Sequence, residues 1–194
     1  TAILKTLSLL NILIKNNINI NLRDKQDWTI LHTSIYRQRM DLTKRILSYN
    51  VDVNLKTEKG NTPLHFAASY YTYFLEVEEN KKFALNVIKR LLKKGARVNL
   101  RANDGMTPLH CAARRGLFSV AKLLIKNGAK LNVADEQGIT PLMYVIQLGT
   151  RIKNDSKAGM FAPNEEELNN FYRYLERRGA KLYLKKRKWY KKKN

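Results

Sequence analysis

Thr107-Pro108-Leu109-His110-Cys111-Ala112-Ala113 is followed, 21 residues after its threonine, by Gly128-Ala129-Lys130-Leu131-Asn132. Each residue type has a physical reason to stand where it does. Threonine can cap a helix, proline suits the first helical position because its missing N–H is not needed there, and paired alanines let a neighbour pack closely. The later glycine suits a left-handed helix C-cap. Between the landmarks, Val120-Ala121-Lys122-Leu123-Leu124-Ile125 has the apolar spacing of a second helix. One unit is therefore a helix, a turn, a second helix and an exit.

The unit recurs. Thr29-Ile30-Leu31-His32, Thr62-Pro63-Leu64-His65 and Thr140-Pro141-Leu142-Met143 repeat the opening, their threonines and Thr107 lying 33, 45 and 33 residues apart in chain order. Asn50-Val51-Asp52-Val53-Asn54, Gly95-Ala96-Arg97-Val98-Asn99 and Gly179-Ala180-Lys181-Leu182-Tyr183 repeat the exit. The spacing between opening and exit is 21 in two units and 33 and 39 in the others, so insertions of 12 and 18 residues are expected. They are placed near 71–82, between the two helices of that unit, and near 151–166. In the second, Gly149, Gly159 and Pro163 mark a loop before a helix over Leu168 to Arg177.

These residues resemble the ankyrin-repeat family, whose units open on TPLHxAA, close on GAxVN and run to 33 residues. Thr62 to Ala68 and Thr107 to Ala113 are near-complete matches, and the resemblance covers nearly the whole chain. It implies an all-α repeat solenoid of helix-turn-helix units joined by hairpin loops. Asn17-Ile18-Asn19-Ile20-Asn21 aligns with Asn50 to Asn54, so the expected count is four full repeats plus a truncated N-terminal one. Thr1 then falls inside the first helix of that truncated repeat, whose open face upstream sequence or a partner is expected to cover. The domain is expected over 1–184, with 185–194 as a basic, aromatic-containing tail.

Composition narrows the function classes. No run of 18 apolar residues is present, so no transmembrane insertion is expected. Cys111 is the single cysteine, which excludes an internal disulfide or a multi-cysteine zinc site. His32, His65 and His110 occupy the same position in successive units, where the family's histidine ties neighbouring turns together, and this favours structure over metal ligation. Cys111, beside Ala112 on a packing face, reads as a buried structural thiol. Glu165, Glu166 and Glu167 form a run at an expected helix start, where negative charge meets the positive dipole end. Neither a Gly-rich phosphate loop nor a paired-carboxylate constellation can be found. No catalysis, cofactor or small-molecule substrate is expected.

Charge is the outlier. The chain has 37 Lys+Arg against 16 Asp+Glu, a formal +21. In repeat register Lys44, Lys89, Lys122 and Arg173 are equivalent, and so are Lys15, Lys93, Lys126 and Arg177, with Ser48 as the gap. The rows lie four residues apart, hence on one helical face, and stacking turns them into a stripe on the outer, convex side, to be read either as a polyanion surface or as an ordinary solvated face. Where the family usually places aspartate in the exit, Arg97, Lys130 and Lys181 stand instead, and Asp52 alone keeps the acid. The chain ends in Lys185-Lys186-Arg187-Lys188-Trp189-Tyr190-Lys191-Lys192-Lys193, basic residues flanking aromatics that suit phosphate pairing and base stacking.

The expected function is a non-catalytic scaffold. Protein partners would be held at hairpin tips Lys25, Gln26, Glu58, Lys59, Asn103, Asp104, Glu136 and Gln137, and at Arg114 and Arg115 on the inner helix end, the surface the resemblance implies. RNA is the expected polyanion, held by the tail, the stripe and Arg97, Lys130 and Lys181. A subunit of a ribonucleoprotein assembly, such as a mitochondrial ribosome, fits that charge. The competing reading is a free adaptor for an acidic protein or an acidic membrane surface.

Overall fold

The computed structural model describes residues 12, 15, 16, 18–69, 77–154 and 163–182. Among them are eight helices in four pairs and no strand: α1 (Ile30–Tyr36), α2 (Met40–Leu47), α3 (Pro63–Ser69), α4 (Val77–Lys93), α5 (Pro108–Arg114), α6 (Phe118–Lys126), α7 (Pro141–Asn154) and α8 (Glu165–Arg177). First helices α1, α3, α5 and α7 stack on one another in one layer, and second helices α2, α4 and α6 stack in another. The chain is thus an all-α solenoid of stacked helix pairs.

Close stacking of the first helices rests on small residues. Ala67, Ala68, Ala112 and Ala113 are fully buried, and beside them Leu31, Leu64, Leu109 and Leu142, one per opening motif, are buried to the same degree. Ile46, Ile88, Leu91, Val120, Leu124, Phe171 and Leu175 close the second layer over them. Each pair leaves an apolar side that only the next pair covers, so burial is shared between neighbours.

Three sequence expectations need correcting. Residues 77–82 of the first insertion are helical: they extend α4 to 17 residues, where α2 has 8 and α6 has 9. No glycine or proline interrupts 77–82, so the helix is not stopped before the apolar positions Phe83, Ala84 and Val87 anchor it. Residues 70–76 lie outside the described residues. Gly149 is not a loop marker: it lies inside α7, which runs 14 residues to Asn154. A Cβ there would stand 2.7 Å from Leu168 Cδ2, so the missing side chain is what lets α8 approach α7. The helix expected from Leu168 starts at Glu165, where Asn164 Oδ1 accepts the Glu167 N–H at 2.7 Å in a capping box. Gly159 and most of the residues expected to form the loop, 155–162, lie outside the described residues, as do Thr1 and the following residues to 11.

Candidate functional site

The surface that can meet a partner is held in place by three sets of hydrogen bonds. In the opening motifs, His Nδ1 accepts the threonine N–H: Thr29 to His32 at 3.1 Å, Thr62 to His65 at 3.1 Å and Thr107 to His110 at 3.0 Å. That leaves the proton on Nε2. His65 Nε2 donates to the Met106 carbonyl at 3.1 Å, and His110 Nε2 to those of Val133 and Ile139 at 3.0 and 3.2 Å, each in the following unit. His32 Nε2 faces the matching carbonyls of Asn61 and Leu55 without closing a bond of ordinary length. Burial lowers the His32 and His65 pKa to about 4 and lowers that of His110 as well. All three are neutral at neutral pH, and His65 and His110 link their units to the next. Thr140, whose unit has Met143 in place of histidine, donates instead to the Lys181 carbonyl at 3.4 Å.

Asparagines form the second set. Asn54 Oδ1 accepts the Arg97 N–H, Asn99 Oδ1 that of Lys130 and Asn132 Oδ1 that of Lys181, each at 2.8 Å. Their Nδ2 groups donate to the carbonyls of Gly95, Gly128 and Gly179 at 3.1, 2.9 and 2.9 Å. The third set zips the hairpin tips backbone to backbone: Glu58 N to Gln26 O, Asn103 N to Lys59 O and Glu136 N to Asp104 O, at 3.0–3.1 Å.

Every expected tip residue is exposed: Lys25, Gln26, Glu58, Lys59, Asn103, Asp104, Glu136 and Gln137, with Arg114 ending α5 and Arg115 capping it. Two of their side chains are already engaged. Asn103 Nδ2 donates to the Glu58 carbonyl at 2.8 Å, and Asp104 Oδ1 accepts the Met106 N–H at 3.0 Å. The sequence reading missed an aromatic cluster beside the tips. Trp28 meets Phe66 edge-on at 4.7 Å between centroids and Tyr36 at 5.3 Å, with Tyr36 half exposed. Phe66 fills the variable position of TPLHxAA, Trp28 precedes α1 and Tyr36 ends it, so the signal was present but scattered over two units.

Chemistry of the catalytic kind is poorly served. Burial pushes the Cys111 thiol up to about 12, far from a reactive thiolate. The buried Tyr144 hydroxyl donates to Asp135 Oδ2 at 2.7 Å and is held at about 12 by burial and that carboxylate.

On the second helices Lys44, Lys89, Lys122 and Arg173 are exposed, and so are Lys15, Lys93, Lys126 and Arg177. Arg97, Lys130 and Lys181 are exposed too: asparagine holds their backbone N–H groups while their side chains reach solvent. Lys122 and Arg177, taken from different rows, line one groove between α6 and α8 together with Arg178. The basic tail from Lys185 to Lys193, Trp189 and Tyr190 included, lies outside the described residues.

Among the described residues no helix is long and apolar enough to cross a membrane. No curated protein matches the chain. The family model described as ankyrin repeats (3 copies) matches twice, over residues 1–77 and 77–154, more than half of the sequence. The stacked helix pairs, the threonine–histidine turns and that match agree: the chain belongs to the ankyrin-repeat family, whose repeats are protein–protein interaction modules.

Proposed function

We propose that this chain is a non-catalytic scaffold subunit of a ribonucleoprotein assembly, holding protein partners along its hairpins and first helices and RNA along its second helices and basic tail. One observation carries the reading: Lys44, Lys89, Lys122 and Arg173 are exposed at one register position of four successive second helices. A solvated face needs no register, whereas a polyanion running across the stack meets a cation at each step. Base for acid at Arg97, Lys130 and Lys181 adds positive charge along the exits. On the other side Trp28, Tyr36 and Phe66 offer the aromatic surface that protein interfaces favour, beside exposed Arg114 and Arg115.

The test is ultraviolet crosslinking in cell extract followed by peptide mapping. RNA adducts are expected on peptides bearing Lys89, Lys93, Lys122 and Lys126 and on the tail from Lys185 to Lys193. Recovery of protein partners with no RNA adduct on any of these would replace RNA by an acidic protein. Recovery on anionic vesicles alone would replace it by a membrane surface.

A further inference from the structure

The groove between α6 and α8 differs from the rest of the stripe. Backbones of α2, α4 and α6 approach one another closely in turn, whereas α8 stands off from α6 and meets it through rings, Phe118 stacking on Phe171 at 4.4 Å. Beside that ring pair lies an open groove of about 470 Å³, lined by Lys122, Asn170, Tyr174, Arg177 and Arg178. Positions 170, 174, 177 and 178 are spaced to share one face of α8 and its cap. Lys122 reaches in from α6.

Three cations thus converge on one concavity whose lining holds no carboxylate. Tyr174 fixes two of them: Lys122 Nζ lies 5.4 Å from its ring centroid and Arg178 Cζ 4.7 Å. Both side chains are therefore pre-positioned beside a ring's negative face and lose less freedom when an anion arrives. The nearby acid, Glu176, takes a hydrogen bond from the Tyr172 hydroxyl, which raises that tyrosine's pKa. Equivalent second-helix positions are used differently: at the end of α2 ring and cation are exchanged, with Arg45 Cζ 5.1 Å from the Tyr49 ring centroid. Leu123 stands in α6 where Tyr174 stands in α8. In α4, Arg90 turns back to Asn86 Oδ1 at 2.8 Å and Lys94 to the Tyr49 carbonyl at 3.1 Å.

We propose that this groove is a phosphate site, in which Lys122, Arg177 and Arg178 hold a backbone phosphate of RNA. This deepens the polyanion reading and rests on it. Tyr174 also decides what is not read. Its ring stacks on Phe171 at 5.9 Å and attends two cations, so its contacts are already committed within the protein. Recognition at the groove is therefore of phosphate and independent of sequence.

The experiment compares three forms of the full chain on single-stranded poly(U) and poly(A) at several salt concentrations. They are the wild type, Lys122→Gln/Arg177→Gln/Arg178→Gln, and a charge-matched control, Arg37→Gln/Arg101→Gln/Arg151→Gln, at exposed positions away from the groove. The groove variant should bind both polymers at least tenfold more weakly and lose about 0.7 from the slope of log K against log salt, the contribution of one single-strand phosphate. The control should change less than twofold. Equal losses in the two variants would sink the groove while leaving RNA binding intact. No binding by the wild type would sink the polyanion reading itself, and binding only to phosphoinositide vesicles would reassign the groove to a membrane. A loss on one polymer alone would mean base recognition and overturn the phosphate assignment. Thermal melts of all three establish that each is folded.

Discussion

His32 and His65 are neutral in the fold and would ordinarily protonate near 6.5; burial lowers both to about 4. The unfolded chain therefore binds more protons than the folded one below pH 6.5, and stability falls as pH drops through that value toward 4. At about 1.4 kcal/mol per pH unit, each of the two contributes on the order of 3 kcal/mol across that window. Urea midpoints should be flat from pH 8 to 7 and fall steadily from 6.5 to 4. A midpoint independent of pH over that range would show that these histidines are not buried as neutral rings. The asparagine ladder gives a second residue-scale expectation. Asn99→Ala removes bonds to Lys130 N and Gly128 O and should cost about 1–2 kcal/mol in urea unfolding. Asn127→Ala, which loses an exposed bond within its own turn to Leu123 O, should cost under about 0.5 kcal/mol. The threonine–histidine pair of the opening motif could be read from sequence because the two residues lie three apart in one turn. The asparagines' role was hidden, since Asn132 meets Lys181 N across 49 residues and an insertion.

At the scale of elements, the hairpin tips are joined by backbone, and that constrains their glycines. Gly105 has φ +77°, and a Cβ there would lie 2.8 Å from Glu136 N in the next tip. Gly138 has φ +79° with open space around it. Both alanine substitutions force a left-handed residue, a cost of about 1–2 kcal/mol. Gly105→Ala should cost roughly 1 kcal/mol or more beyond Gly138→Ala, because backbone must also move. Equal costs would mean that the tips are not zipped as the Glu136 N to Asp104 O bond requires. The same scale explains what sequence left unread. Helix pairs follow from the repeat, but the length of α4 and the reach of α7 depend on where insertions stop being helical, and periodicity alone does not mark that point. In the candidate site, register aligned Lys122 with Arg173, whereas the helix standoff brings Lys122 to Arg177 and Arg178. A ring pair, Phe118 and Phe171, sets that standoff.

For the whole molecule, charge and architecture interact. A stack of units shares its stability between neighbours, so a repulsive term distributed along the stack weakens the array as a whole. With 37 basic and 16 acidic residues, and rows of like charge in register on the second helices, folding gathers cations that the unfolded chain holds farther apart. Some of the acids are committed to backbone within the hairpin turns. Asp24, Asp104 and Asp135 accept N–H groups within their own turns, and the Arg23–Asp27 pair at 3.6 Å is an exposed contact of small weight. Screening should therefore stabilise the fold. Raising sodium chloride from 20 to 300 mM, which shortens the Debye length from about 20 Å to about 6 Å, should raise the melting temperature by several degrees. A short single-stranded RNA at low salt should raise it as well, by linkage to binding on the folded surface. The two effects should oppose each other when combined, because salt that relieves the repulsion also displaces the polyanion. A melting temperature that fell with salt in the absence of RNA would mean that attractive ion pairs dominate the surface, and the register of the cations would then have no energetic consequence.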